Sequence, residues 1–382
     1  MMQVYFDNAA TSFPKPETVY KTIDHVLREA GANPGRSGHS MAITASRYIY
    51  DTRASIADLL HVPDEKNIIF TSNATDALNI GIKGLLKSGD HVITSSMEHN
   101  SVMRPLNKLS KSGVTFTTVR CSASGELNPT DISDTITKNT KLIVLTHASN
   151  ICGTIIDISA VGRIAKERGI VFMVDAAQSA GVIDIDPIKM NIDMVATAGH
   201  KALFGPQGTG VLYVRDGITL DTLKEGGTGS YSESLEQPED LPDKYESGTL
   251  NTPGIAGLGA GVEFILKETL DKIRGKEKEL LTHLIKELEK IDEITLYGVC
   301  DPERQTSVVS FNVNGRECSD VGYKLDSEYN IMVRVGLHCS PSGHKTLGTY
   351  PHGTVRASLG YFNTHDEIDY FLKSIRNLIK KG

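Results

Sequence analysis

No apolar run in the 382 residues approaches the roughly 20 needed to cross a bilayer as a helix, so no membrane span is expected. A basic excess is missing too. Forty Lys and Arg stand against 47 Asp and Glu, a formal charge of −7. Proteins that bind polyanions normally carry the opposite balance, so nucleic acid is not expected as a partner. The opening residues MMQVYFDNAATSFPKP have neither a basic n-region nor an apolar h-region. No secretory leader is expected, and the reading is cytoplasmic. Cysteine is scarce. The five residues Cys121, Cys152, Cys300, Cys318 and Cys339 are odd in number, widely spaced and free of any CxxC. That argues against a disulfide framework and for free thiols in a reducing compartment. Internal repeats and low-complexity tracts are lacking. With 39% hydrophobic and 23% charged residues, disorder is excluded as the main state. The length suggests two or three domains.

From about residue 66 to 214, short β-rich runs alternate with helical patterns. Strands are expected at Asn67–Ser72, His91–Ser95, Thr115–Val119, Lys141–Thr146, Ile170–Asp175, Met194–Thr197 and Gly210–Val214. Several are continuous apolar runs, as in strands covered on both faces. Helices are expected at Asp76–Lys87, Ser101–Ser112 and Ile158–Arg168, each ending near a glycine. The alternation predicts an α/β unit with a mostly parallel sheet. Residues 217–253 read as one long irregular segment, and such segments are usually functional or ordered by a partner. A helical stretch follows over Ile255–Leu288, with a break expected near Gly275. The remainder mixes strands (Ser307–Val313, Ile331–Val335, Thr354–Ser358) with a final helix, Asp366–Lys380, and reads as a smaller α+β domain.

Four features suggest chemistry. Lys201 sits in the glycine-dense turn Gly199-His200-Lys201 between two strands. Burial there would lower its pKa and make it a Schiff-base nucleophile, though a surface turn lysine is an equal reading of the motif alone. Asp175 ends the apolar strand IVFMVD, where α/β sheets bind ligands; an ordinary helix N-cap is the plainer reading. Asn73-Ala74-Thr75-Asp76 opens a helix directly after a strand, which makes an anion site of low specificity. Last, Arg334-Val335-Gly336-Leu337-His338-Cys339-Ser340 places a cysteine in a loop, with Arg356 beyond it. His338 and Arg334 would favour its thiolate. Free cysteine is already a few per cent ionised at pH 7, so full ionisation gains only about one and a half orders of magnitude. Positioning can contribute roughly 7–11 kcal/mol. Loop geometry should therefore matter more than acidity. A metal site of His338, Cys339, His344 and His352 is the rival, but its spacing fits no standard zinc pattern, and no metal is expected.

Together these motifs resemble one family. DNAAT, S-N-A-T, M-E-H-N, H-A-S-N, V-D-A-A-Q, G-H-K, E-S-G-T-x-N and R-x-G-x-H-C…R-A-S occur in the order found in pyridoxal-phosphate-dependent cysteine desulfurases of class V aminotransferase fold. The resemblance spans almost the whole chain, and R-x-G-x-H-C looks like the type II, Suf-like branch shared with selenocysteine lyases. It implies the fold type I of pyridoxal-phosphate enzymes: a large domain, residues 20–262, with a mostly parallel seven-stranded sheet, and a small α+β domain, residues 1–19 and 263–382, carrying the cysteine loop. It implies pyridoxal 5'-phosphate as cofactor, bound by Lys201 as an imine. Asp175 would pair with the ring nitrogen, which keeps the ring an electron sink. His99 would stack on the ring and serve as acid/base near the substrate sulfur. Asn150 and Gln178 would contact the phenolic oxygen, and Ala74, Thr75 and His200 the phosphate. Arg356 would clamp the substrate carboxylate bidentately, with Asn8 and Arg334 in the pocket. Thr249 would reach the phosphate of a neighbouring subunit, which implies a homodimer.

Two positions depart from that pattern. Relatives usually have Ser or Thr just before G-H-K, where this chain has Ala198. Thr197 is one residue earlier and, on a strand, points to the other face, so a phosphate bond is expected to be missing. Leu337 stands where a histidine is commoner. The implied reaction converts L-cysteine to L-alanine, leaves the sulfur on Cys339 as a persulfide, and passes it to an acceptor thiol or protein. Selenocysteine lyase, transamination on the same fold and a catalytically silent scaffold are the alternatives. Service in iron–sulfur cluster assembly, RNA thio-modification or selenium metabolism is equally compatible with the sequence.

Overall fold

The computed structural model describes residues 2–35 and 38–381. Its elements, in order, are β1 (Val4–Tyr5), α1 (Glu17–Glu29), α2 (Ser40–Leu59), β2 (Ile68–Thr71), α3 (Ala74–Leu85), β3 (His91–Ser95), α4 (Asn100–Ser110), β4 (Thr115–Val119), α5 (Pro129–Asp134), β5 (Thr140–Thr146), α6 (Ile158–Arg168), β6 (Val171–Asp175), β7 (Met194–Ala198), β8 (Gly210–Val214), α7 (Thr252–Glu268), α8 (Leu270–Leu288), β9 (Ile294–Tyr297), β10 (Val308–Val313), α9 (Cys318–Tyr329), β11 (Ile331–Met332), β12 (Arg334–Gly336), α10 (Pro341–Thr346), β13 (Thr354–Ser358) and α11 (His365–Lys380).

The apolar strands form a seven-stranded sheet in the order β2-β8-β7-β6-β5-β3-β4. Strands β4, β3, β5, β6 and β7 run parallel, and β8 is antiparallel to both β7 and β2. Every residue of β3, β7 and β8 is buried, because helices cover both faces. The carboxyl ends of β5, β6 and β7 lie side by side, so Thr146, Asp175 and Ala196 are in register. Ligands of open α/β sheets bind beyond such ends. Side-chain caps start the neighbouring helices: Asn73 Oδ1 accepts the Asp76 N–H at 2.9 Å for α3, and His99 caps α4.

Residues 215–251 contain no helix or strand, so the expected irregular segment 217–253 holds except for its last two residues, where Asn251 caps α7 and the helix starts at Thr252. The helical stretch breaks at Thr269 rather than Gly275. Thr269 has φ +73°, ends α7, and its hydroxyl caps α8 by accepting from the Lys272 N–H. Gly275 has open space around it and stays inside α8, where a helical glycine costs only about 1 kcal/mol. Ile331–Val335 is two strands. β11 pairs with β1 in a two-stranded sheet, while β12 joins the four-stranded sheet β12-β13-β10-β9.

Hydrophobic side chains cluster accordingly. One core lies on each face of the seven-stranded sheet, and a separate one joins Val4 and Phe6 to α8, α9, α11 and the four-stranded sheet. No described helix is long and apolar enough to cross a membrane.

Candidate active site

A cavity of about 170 Å³ opens at the carboxyl ends of β5, β6 and β7. Ala74, Thr75, His99, Asn150, Asp175, Gln178, His200 and Lys201 all line it, so the fold unites eight of the residues singled out in the sequence.

Lys201 follows β7 in the turn that precedes β8. Its Nζ makes no hydrogen bond or ion pair among the described residues, and burial pulls its pKa down to about 8, against the opposing pull of Asp175. Asp175 is buried, accepts the Ala177 N–H at 3.0 Å, and has no ion-pair partner among the described residues. Burial raises its pKa. An unpaired carboxyl in such a place favours a cationic partner. His99 Nδ1 accepts the Ser101 N–H at 3.1 Å, so the neutral ring carries its proton on Nε2. Burial, then the cations Lys201, Arg334, Arg104 and Arg356, lower its pKa to about 4. The ring is therefore neutral at physiological pH. The Ser101 hydroxyl bridges His99 and Thr75, 2.8 Å from each. Nδ1 of His200 is buried with no partner among the described residues. The first N–H groups of a helix lack intrahelical acceptors, and here Ala74 and Thr75 supply them to the cavity.

Arg356, on β13, is buried at 1% exposure. Nη2 lies 2.8 Å from Asp7 Oδ1 and Nη1 donates to the Asn150 carbonyl at 2.8 Å, while Nε has no partner among the described residues. Arg334 Nη2 is 3.6 Å from the exposed Cys339 Sγ. Both Cys339 (φ +60°) and His338 (φ +47°) adopt the left-handed backbone, which costs non-glycine residues energy and persists only when neighbours enforce it. Three bonds do so. Asn150 Nδ2 donates to the His338 carbonyl at 2.6 Å, the Ser340 hydroxyl donates to Asn150 Oδ1 at 2.8 Å, and the Asn100 N–H donates to the Cys339 carbonyl at 2.9 Å.

Other placements differ in detail. The Asn150 amide, expected at a ring oxygen, thus also clamps the cysteine loop. Gln178 Nε2 donates to the Ala9 carbonyl at 3.0 Å. Asn8 does not line the 170 Å³ cavity. Its amide bonds Ser358, Asn363 and Phe13, and it borders a smaller void of about 40 Å³ that Lys201 also lines. Thr249 is exposed and lies in a different depression, away from the site of its own chain. The rival metal set does not converge. His338 Nδ1 and His344 Nε2 bond each other at 3.2 Å, while His352 faces Glu317 on the surface. Thr197 points away from the cavity toward the Ala176 carbonyl, and Ala198 lines the cavity in its place.

The sequence reading missed Ser101, Asn100, Asp7 and Glu98. All but Asp7 cluster around M-E-H-N, and Asp7 opens DNAAT, so the signal was motif membership alone. Glu98 is fully buried, accepts from the Ser95 hydroxyl at 2.5 Å and from the Thr146 N–H at 2.9 Å, and its pKa rises to about 8 through burial. It ties the loop bearing His99 to the end of β5.

The profile of the aminotransferase class-V family matches residues 4–371. A protein of Methanothermobacter thermautotrophicus named "Probable cysteine desulfurase" is 34% identical over 385 residues, covering 99% of this chain and 95% of that one. The apo structure of a cysteine desulfurase from Thermococcus onnurineus superposes with a TM-score of 0.94 at 34% identity, over 100% of this chain and 95% of that one. A cysteine desulfurase structure from Escherichia coli gives a TM-score of 0.89 at 27% identity, over 99% and 95%. A single match running through all three cores and the cysteine loop leaves one assignment: the chain belongs to the class-V aminotransferase family.

Proposed function

We propose that the protein is a pyridoxal-phosphate-dependent cysteine desulfurase that converts L-cysteine to L-alanine and hands the sulfur to an acceptor through Cys339. The observation that carries this reading is an exposed thiol in a clamped loop whose anchor, Asn150, also lines the cavity of Lys201 and Asp175. A transaminase has no use for such a thiol.

The residues present fit the cofactor. Among the described residues, an amine without a partner, a buried carboxyl without a counter-ion, an unpartnered His200 Nδ1 and a helix N-terminus face one cavity. Lys201 would hold the aldehyde carbon, Asp175 the ring nitrogen, and Ala74, Thr75 and His200 the phosphate. His99 would cover the ring, with Asn150 and Gln178 at the phenolic oxygen. Pyridoxal phosphate, when bound, supplies a carbonyl that captures the substrate amine and a protonated ring that draws electrons from its Cα.

The chain's own groups supply the rest. Arg356, oriented by Asp7 and the Asn150 carbonyl, binds the substrate carboxylate, with Arg334 beside it. Lys201, with its lowered pKa, accepts the Cα proton as a neutral amine. His99 holds its proton at Nε2 and is placed to move one at the substrate sulfur. The Cys339 thiolate takes that sulfur, a proton returns to the carbon left behind, and alanine and a Cys339 persulfide result. In this reading residues 20–262 form the cofactor-binding unit, and residues 1–19 with 263–382 form the smaller unit carrying the Cys339 loop. Thr249 completes the phosphate site of a second copy in a homodimer.

An amino-acid panel tests the assignment. The cofactor-loaded protein should form alanine from cysteine when a thiol is present. Faster turnover of selenocysteine with no dependence on Cys339 would move the assignment to selenocysteine lyase.

A further inference from the structure

Outside the cofactor cavity, a groove of about 350 Å³ runs between α3 and α4 and ends at Cys339. Thr75, Asn79 and Lys83 line it from α3, and Arg104 and Lys108 from α4. Both sets follow the i, i+4 spacing that puts side chains on one helix face. The two N-termini meet beside Cys339, where the Thr75 and Ser101 hydroxyls are 2.8 Å apart and the Asn100 N–H holds the Cys339 carbonyl. Lys83 and Lys108 therefore stand two helical turns away, roughly 12 Å along the axes.

Charge makes the groove unusual. Three cations line it and no carboxylate does. None of the three forms an ion pair among the described residues, in a chain whose formal charge is −7. Lys87, just past the end of α3, is by contrast paired with Asp221. A row of unpaired cations leading to a thiol is complementary to a partner of opposite sign.

We propose that this groove receives the sulfur acceptor, and that the acceptor is an acidic polypeptide segment carrying a cysteine. The inference rests on the desulfurase reading and names the partner class for that site. The lining has no Phe, Tyr or Trp, and its one imidazole, His99, also lines the cofactor cavity, so no row of stacking platforms runs along the groove, which disfavours single-stranded nucleic acid, whose successive bases bind by stacking. A small thiol at Cys339 would leave the far cations untouched, whereas a few residues of extended chain span the groove. The bound segment's thiolate attacks the outer sulfur of the Cys339 persulfide. One S–S bond forms, the Cys339 S–S bond breaks with its electron pair returning to Sγ, and the acceptor's proton has already gone to solvent. No oxidant or reductant is consumed. The cations also favour the acceptor thiolate over its thiol.

Three peptides of equal length test this, each with one cysteine flanked by glutamates, glutamines or lysines. Dithiothreitol and glutathione serve as small-thiol controls. With the cofactor-loaded protein and cysteine, the glutamate peptide should accept sulfur about tenfold faster than the glutamine peptide, and salt should erode the advantage. Lys83→Glu with Lys108→Glu should reverse the order in favour of the lysine peptide, and Lys83→Gln with Lys108→Gln should level it. Alanine formation with dithiothreitol should be unchanged in both. Equal rates for all three peptides, with alanine still forming, overturn the acidic partner and leave the desulfurase reading standing. Glutathione showing the same response to charge reversal as the glutamate peptide overturns the polypeptide assignment. Stronger inhibition of transfer by an oligonucleotide than by a cysteine-free glutamate peptide overturns it in favour of nucleic acid. Absence of alanine with dithiothreitol overturns both readings together.

Discussion

Asp7 and Arg356 form an ion pair at 2.8 Å, reaching from the segment after β1 to a side chain buried in β13, 349 positions away. Arg356 is the residue proposed to bind the substrate carboxylate, and Asp7 fixes where its guanidinium points. Asp7→Asn should therefore raise KM for cysteine about tenfold, the equivalent of about 1.4 kcal/mol, with a smaller change in kcat. Steady-state kinetics at saturating cofactor check this. A pure loss of kcat with unchanged KM would contradict the positioning role. Stability should fall by about 2 kcal/mol, the usual worth of a charged hydrogen bond, read by thermal unfolding.

Cys339→Ser separates the sulfur step from cofactor binding. The thiol lies outside the lining of the 170 Å³ cavity, so the variant should keep the visible absorbance of the loaded protein and lose alanine formation from cysteine. Full desulfurase turnover by the variant would remove Cys339 from the mechanism.

Lys201 should titrate early. Burial lowers its pKa to about 8, against roughly 10.4 for an ordinary lysine. Only the neutral amine is nucleophilic, so reactivity rises as pH climbs through the folded-state pKa. In cofactor-free protein, labelling of Lys201 by an amine-directed reagent, followed by peptide mapping, should show a midpoint near pH 8. A midpoint above 10 would mean that the site does not desolvate the amine. In loaded protein, borohydride should place the cofactor label on Lys201.

Ala198 offers a gain of function. It lines the cavity, whereas the Thr197 hydroxyl is turned toward the Ala176 carbonyl. Ala198→Ser puts a hydroxyl where the phosphate is expected. A hydrogen bond to a charged group is worth about 1.5–3 kcal/mol, so the Kd for pyridoxal phosphate should fall at least tenfold by equilibrium titration. No change would place the phosphate elsewhere.

The local rules of the chain were readable from its residues. Continuous apolar runs such as VFMVD can be satisfied only by burial on both faces, and this dictated the parallel sheet and put Asp175 at a strand end. The break at Thr269 was not readable: glycine looks like the weaker point, but an unpacked helical glycine costs little, while a threonine at positive φ can end one helix and cap the next. Motif order brought Lys201, His99 and Asp175 into one family pattern. It could not show the Asn150 clamp, the Asp7–Arg356 pair or the unpaired cations beside Cys339. Those contacts join residues up to 349 positions apart, and no periodicity within a segment records which distant segment will fold against it. The sequence alone therefore determined the elements and the chemical inventory. The tertiary structure decided which groups share a cavity, which are already partnered, and which are left free to react.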